Sequence, residues 1–182
     1  MGHCADTPPS TYESVDGLIV IERPIERALH FRFTEDDART VDRIAQLTGL
    51  SIRAENRAAR SQRQLGLRLG PGDWLVVSGG NDDHGLEELS GDEGREAWSA
   101  VDASDAWFAV RLQGRRSGDV IAEACGLDIR GPRFPVGATA VTRFARIRGL
   151  LHRVADDDTF DVYVERSYAG YLWAWLIDFP TS

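Results

Sequence analysis

The sequence predicts an α+β fold built from two tandem β-α-β-β-α units whose antiparallel sheets are covered by helices. Three observations predict it. Residues Arg39 to Arg53 recur as Arg116 to Arg130, with eight identities and no gap, the mark of a duplicated structural unit. Each copy reads as an amphipathic helix that ends in glycine and runs into a short Leu-x-Ile strand. Alternating segments such as Leu29-His-Phe-Arg-Phe33 and Thr159-Phe-Asp-Val-Tyr-Val164 place apolar side chains on one face of a strand.

The elements follow in order. Residues 1–25 read as a polar N-terminal tail carrying Pro8-Pro9, in which Gly17-Leu-Ile-Val-Ile21 could pin a strand onto the rest. The first unit, residues 26–100, begins with the strand around Phe31. A helix then starts near Asp36 or Asp37, carries Val41, Ile44, Ala45 and Leu47 on its apolar face, and closes at Gly49. Leu65 to Leu69 and Trp74 to Val77 flank Gly70-Pro-Gly-Asp73, a tight hairpin turn. The loop from Ser78 to His84 and an interrupted helical segment to about Trp98 complete the unit. The second unit, residues 101–182, repeats the order: strand Trp107 to Leu112, turn at Gly114, helix Ser117 to Ala124 with Ser117 as its N-cap, and strands at 137–143 and 146–154. A turn at Asp156-Asp-Asp158, the strand from Thr159 and a closing helix from Ser167 to Phe179 finish it. The offset of 77 that aligns the repeats also lays Phe31 on Phe108.

At 182 residues the chain is long enough to bury one good core or two small ones. Cys4 and Cys125 lie far apart and define neither a zinc pattern nor a disulfide framework. With no apolar leader or spanning stretch, the sequence reads as a cytoplasmic protein that does not engage the membrane. Its basic residues are all arginine, and the net charge of -8 argues against nucleic acid as a partner.

Neither repeat carries an obvious catalytic group. No Gly-x-Gly-x-x-Gly follows a strand, and the absence of lysine forbids the phosphate-binding Gly-x-x-x-x-Gly-Lys. Ser78-Gly-Gly-Asn81 is the nearest approach to a phosphate nest and reads better as a connecting loop. His3, His30, His84 and His152 share no metal-binding spacing, and Gly-x-Ser-x-Gly is missing. Asp156-Asp157-Asp158 reads as a solvated turn rather than a calcium site. The site prediction is accordingly no catalytic, cofactor-binding or metal-binding residue in this chain.

Asp102-Ala-Ser104, Leu112-Gln-Gly114, Cys125-Gly-Leu-Asp-Ile129, Phe134-Pro-Val-Gly137 and Arg166-Ser-Tyr-Ala169 stand in an order that resembles the gamma subunit of heterotetrameric sarcosine oxidase. The Asp-x-Ser and Leu-x-Gly elements are similar more broadly to the folate-binding fold of the glycine-cleavage aminomethyltransferase and the N-terminal domain of a tRNA-modifying GTPase. The resemblance covers roughly residues 60–180. It implies an accessory, noncatalytic gamma subunit in a complex that demethylates sarcosine to glycine, releases hydrogen peroxide and passes the one-carbon unit to tetrahydrofolate. FAD, FMN, NAD and tetrahydrofolate are then expected on partner subunits, and the partners are the alpha, beta and delta subunits. The alternatives are a stand-alone folate-binding one-carbon-transfer protein and an RNA-modification accessory.

The polar motif residues have two readings each. Asp102 and Ser104 could stand at a pocket mouth and bond a pterin-like amide, or could bond free backbone groups where the chain enters a strand. Asp128 could cap the Gly126 turn, and Ser167 is placed to N-cap the last helix. Arginines gather at Arg53, Arg57, Arg60 and Arg63 and again at Arg143, Arg146, Arg148 and Arg153, as solvated faces or as a subunit contact. On the closing helix Tyr168, Tyr171, Leu172, Trp175, Leu176 and Phe179 form one stripe, with Trp173 and Ile177 on another side. One sheet covers only one of these, so Tyr168, Tyr171, Trp173 and Trp175, with Arg146 and Arg148 from the strands, are the predicted subunit interface.

Overall fold

The computed structural model describes residues 11–13, 17–34, 38–52, 57–62, 64–78 and 98–179. Strands β1 (Thr11–Glu13) and β2 (Ile19–Glu22) lead into β3 (Arg27–Phe33), helix α1 (Ala38–Thr48) and strands β4 (Ala59–Arg60), β5 (Gln64–Gly70), β6 (Asp73–Ser78) and β7 (Trp98–Asp102). The second half runs β8 (Trp107–Gln113), α2 (Ser117–Ala124), β9 (Thr139–Phe144), β10 (Ile147–Ala155), β11 (Thr159–Glu165) and α3 (Ala169–Ile177), the last preceded by a 3-10 turn at Arg166–Tyr168. The strands form two antiparallel sheets, in the orders β4-β5-β6-β3-β7 and β1-β2-β8-β11-β10-β9.

The duplication is visible in the sheets. The order β7-β3-β6-β5-β4 in one corresponds to β2-β8-β11-β10-β9 in the other. The second sheet therefore takes the β1–β2 pair that precedes β3, and the first takes as its edge strand β7, which precedes β8. The chain crosses between sheets twice, at residues 23–26 and at residues 103–106. The sequence boundaries at 25/26 and 100/101 are thus spanned by pairing: β2 belongs to the second sheet, with Val20 opposite Leu112, and β7 to the first, with Ala100 opposite Phe31. The apolar run read as able to pin a strand does so on β8. Trp98, expected at the end of a helical segment, opens β7; the remainder of that segment, like the Gly79 to His84 stretch of the loop, lies outside the described residues.

Alternation along the strands gives each sheet two apolar faces, and three cores result. Phe31, Trp74 and Val76 meet Val41 and Ile44 of α1 on the outside of the first sheet. Phe108, Val110, Phe160, Val162 and Leu151 meet Val120 and Ile121 of α2 and Leu172, Trp173 and Leu176 of α3 on the outside of the second. Between the sheets, Leu67, Leu75, Trp107, Leu150 and Tyr163 pack around the small side chains of Ala28, Ala103 and Ala109. Helices cover the two outer faces, as expected, and the inner faces cover each other.

Two local expectations give way to tertiary context. The Leu-x-Ile segments after the repeated helices form no strand; Leu50 and Ile52, and less completely Leu127 and Ile129, instead lay apolar side chains over the sheet ends. Gly49 closes α1 at φ 68°, with its N–H donating to Ala45 O, whereas in the second copy Cys125 is extended and Gly126 stays outside the left-handed region. Hairpin turns behave as their residues dictate. Pro71 and Gly72 reverse the chain between β5 and β6, Ala145 and Arg146 form a two-residue loop with φ 46° and 71°, and Asp158 at φ 54° ends a three-residue loop where β10 and β11 shift register.

Gly114 is the position least tolerant of a side chain. Its φ is 97°, and a Cβ there would overlap the carbonyl oxygen of Gly17, two residues before β2. Gly114→Ala is expected to cost about 1–3 kcal/mol in backbone strain alone, with further loss as the N-terminal strand is pushed off β8. Urea denaturation read by tryptophan fluorescence tests this; an unchanged midpoint would show that the Gly17 approach is dispensable.

Candidate functional site

Helix α3 packs Leu172, Trp173 and Leu176 onto the second sheet. Trp173 is 4% exposed, so the ring grouped with the predicted interface is part of the core; a helix seated on a sheet buries the i, i+1, i+4 arc and leaves the opposite arc outward. Tyr168 and Tyr171 are 41% and 45% exposed, and Trp175 is half-buried at the margin. The Tyr171 hydroxyl donates to Ala145 O at 2.8 Å, which brings α3 against the β9–β10 turn and places exposed Arg146 next to the aromatic face. Arg148 is exposed on the opposite side of β10, because Ile147 packs with the α3 core and neighbouring strand residues alternate. The structure thus gathers Tyr168, Tyr171, Trp175 and Arg146, and separates Trp173 and Arg148 from them.

Beside this face lies a cleft of about 910 Å³ between α2 and α3, lined by Arg116, Glu123, Tyr171, Trp175, Asp178 and Phe179. Its floor is aromatic. Trp175 sits edge-on to Phe144 at 6.1 Å and against Phe179 at 5.4 Å, and the Arg116 guanidinium lies 5.9 Å from the Phe179 ring. Aromatic side chains with arginine at an outward margin have the composition of a buried interface centre.

The family-like polar motifs turn out to be fasteners. Ser104 donates both its N–H and its hydroxyl to Asp102 Oδ1, at 2.9 and 2.7 Å, and its hydroxyl oxygen accepts the Ala28 N–H at 3.0 Å. Arg27 reaches Asp102 at 3.0 Å. The motif therefore ties the start of β3 to the crossover at residues 103–106, the backbone-bonding reading of these residues. The Ser104 hydroxyl is the main cause of a lowered Asp102 pKa. Asp128 accepts from the Arg130 N–H and guanidinium and pairs with Arg133; the Arg130 bonds above all hold its carboxyl at about 2. It organises the loop after the helix as an Asx turn rather than closing the helix at Gly126.

Ser117 and Ser167 cap neither helix. The Ser117 hydroxyl donates to Asp158 O, tying α2 to the β10–β11 turn, and Ser167 falls inside the 3-10 turn, so that Tyr168 flanks α3 without a side-chain bond. Arg153, grouped with the basic strand residues, is largely buried. It donates to Ile129 O and Phe134 O at 3.2 and 3.0 Å and lies 5.5 Å from the Phe160 ring, so it anchors the Phe134-Pro-Val-Gly137 loop. Cys125 is buried with its thiol donating to Ile121 O, and burial raises its pKa.

One cluster went unread in the sequence. Arg111 of β8 and Asp161 of β11 are register partners on the inner face and form a two-pronged pair at 2.7 and 2.8 Å, with Asp161 only 3% exposed. Opposite Asp161, on β10, lies His152, 2% exposed, its Nδ1 without a hydrogen-bond partner among the described residues; desolvation pulls its pKa from 6.5 to about 4. Burial raises the Tyr163 pKa on the same face. The legible signal was a single Arg and a single Asp, each in the middle of an apolar strand. Among the described residues no group of three or more His, Cys, Asp or Glu could hold a metal, and no helix is long and apolar enough to cross a membrane. His30 pairs with Asp73 at the β3–β6 margin, while His3 and His84 lie outside the described residues.

Comparison with solved structures finds the same architecture elsewhere. The chain superposes on a heterotetrameric sarcosine oxidase from Corynebacterium sp. U-96, in complex with pyrrole 2-carboxylate, with a TM-score of 0.80 at 24% identity, covering 88% of this chain and 82% of that one. It superposes on glycine cleavage system aminomethyltransferase T from Bartonella henselae with a TM-score of 0.62 at 15% identity, covering 88% of this chain but 45% of the other. A search of curated protein sequences returns no match. The family model described as sarcosine oxidase, gamma subunit family matches residues 36–182, and the chain belongs to that family.

Proposed function

We propose that the chain acts as a noncatalytic gamma subunit of a heterotetrameric sarcosine oxidase and docks through the outward face of α3. The observation that carries the docking assignment is the aromatic patch of Tyr168, Tyr171 and Trp175, continuous with Arg146 and the cleft floor, on a helix whose other face already fills the core. Large apolar surface beyond what one sheet can cover is costly on a free chain and stabilising in an assembly. FAD, FMN, NAD and tetrahydrofolate belong on this reading to the alpha, beta and delta partners, which carry the oxidation of sarcosine. The polar motifs of this chain fit the role, since Asp102, Ser104 and Asp128 are engaged in holding a strand start and loops.

Co-expression with the other subunits, followed by affinity capture of this chain and a flavin absorbance spectrum, tests the proposal. Capture should bring down flavin absorbance. Tyr171→Ala combined with Trp175→Ala should reduce it by roughly tenfold or more, since an interface aromatic anchor contributes about 2 kcal/mol or more. A monomeric chain that turns over a secondary amine unaided would sink the assignment.

A further inference from the structure

The end of the sandwich where β5 starts and β6 finishes is open between the sheets. A pocket of about 230 Å³ lies there, walled by Gln64, Arg111, Asp161 and Tyr163, with Arg23 and Arg60 exposed at its mouth. It lies between the inner sheet faces, whereas the proposed docking face is on the outside of the second sheet, so its assignment holds whether or not that face docks.

Three features of the lining specify a ligand. The first is charge. Arg111 is matched by Asp161, whose two oxygens it occupies, while Arg23 and Arg60 have no acidic partner within ion-pair distance among the described residues. The pocket therefore keeps two uncompensated cations in a protein whose net charge is -8. Guanidinium groups are suited to carboxylates because their paired N–H donors match the two oxygens. The second is a buried acceptor. Gln64 is 6% exposed, and its Oε1 has no hydrogen-bond partner among the described residues. A buried carbonyl oxygen left unpaired is costly, so a donor on an occupant would relieve it. The third is size: at about 30 Å³ per water the space of about 230 Å³ corresponds to roughly eight waters, which suits a molecule of about five to eight heavy atoms.

We propose that this inter-sheet pocket binds a small carboxylate that also carries a hydrogen-bond donor, of the amino-acid or hydroxy-acid class. Its carboxylate meets Arg23 and Arg60, and its ammonium or hydroxyl group donates to Gln64 Oε1. Asp161, held by Arg111, fixes the wall behind it and keeps a second carboxylate from entering deeper.

Titration calorimetry on the full-length chain with glycine, glycolate, acetate and inorganic phosphate provides the test, with thermal melts to show that each variant is folded. Glycine or glycolate should bind, and acetate should bind roughly tenfold more weakly because it lacks the donor. Arg23→Gln and Arg60→Gln, both at exposed positions, should each weaken glycolate binding by roughly tenfold. Gln64→Leu should erase the preference for glycolate over acetate. Absence of heat with all four probes, binding indifferent to both arginine variants, or a preference for phosphate over glycolate would each overturn the proposal. So would failure of Arg23→Gln and Arg60→Gln to alter glycolate binding while they block capture of the partner subunits, because the arginines would then serve an acidic side chain of a partner.

Discussion

Asp161→Ala is expected to destabilise the chain by about 3–5 kcal/mol, a large share of the roughly 5–15 kcal/mol by which an ordinary domain is stable. The cost does not measure the attraction between the two charges. Asp161 is 3% exposed, and its two oxygens take both the Nε and Nη2 bonds of Arg111, whose side chain is 21% exposed. Removing the carboxylate strands a guanidinium between two sheets, with only its pocket side open to water. A second variant separates these terms. Arg111→Met combined with Asp161→Leu removes both charges and fills the space with apolar atoms, and should recover most of the loss or exceed wild-type stability. Urea midpoints of the two variants decide the matter: equal destabilisation by single and double replacement would show that packing, not the stranded charge, sets the cost.

Acidification should weaken the fold through His152, by up to about 3 kcal/mol between pH 6.5 and pH 4. Burial is the dominant reason the imidazole stays neutral. Asp161 pulls its pKa up, Arg60 and Arg111 push it down, and the balance leaves it at about 4 against an ordinary 6.5. The sign follows from proton counting. Between those two values the unfolded chain takes up a proton that the folded chain refuses, so stability is complete above pH 6.5, declines as pH falls, and loses no more from this residue once pH drops below the folded pKa. His152→Leu removes the titration together with an unpartnered buried nitrogen, and should flatten that part of the stability–pH curve while holding or raising stability at pH 8. An unaltered slope in the variant would assign the acid sensitivity to other groups.

Asp161 and His152 are polar residues inside largely apolar strands, and their importance is hard to see along the chain. Local patterns specify faces, and the faces were legible. Alternation in residues 159–164 and 107–112 produced the inner and outer surfaces of the second sheet, and the recurrent segment at Arg39 and Arg116 announced that a similar order of elements along the chain would appear twice. The ordered motifs from Asp102 to Ala169 likewise sufficed to indicate the gamma-subunit family. What each motif does was less accessible. Ser117 and Ser167 have the residue type and position of N-caps, yet Ser117 finds a carbonyl on a distant turn and a 3-10 turn takes up Ser167, because tertiary bonds compete with local ones. The candidate interface was read as a set of six residues, but only seating the helix on its sheet could assign Trp173 to the core and Tyr171 to the surface.

By itself the sequence determined that two related units exist, that antiparallel sheets carry apolar faces, and that the helices after Arg39 and Arg116 cover them. These follow from side-chain periodicity, which neighbouring residues define. The tertiary structure alone decided that β2 joins the second sheet and β7 the first, that Asp102 and Ser104 clamp the start of β3, and that Arg111 meets Asp161 beside His152. Each of these is a pairing between segments about 50 to 90 residues apart. A strand's pattern states which of its faces is buried but not which edge will receive it, and that choice is made by the combined burial of three cores that no single segment encodes.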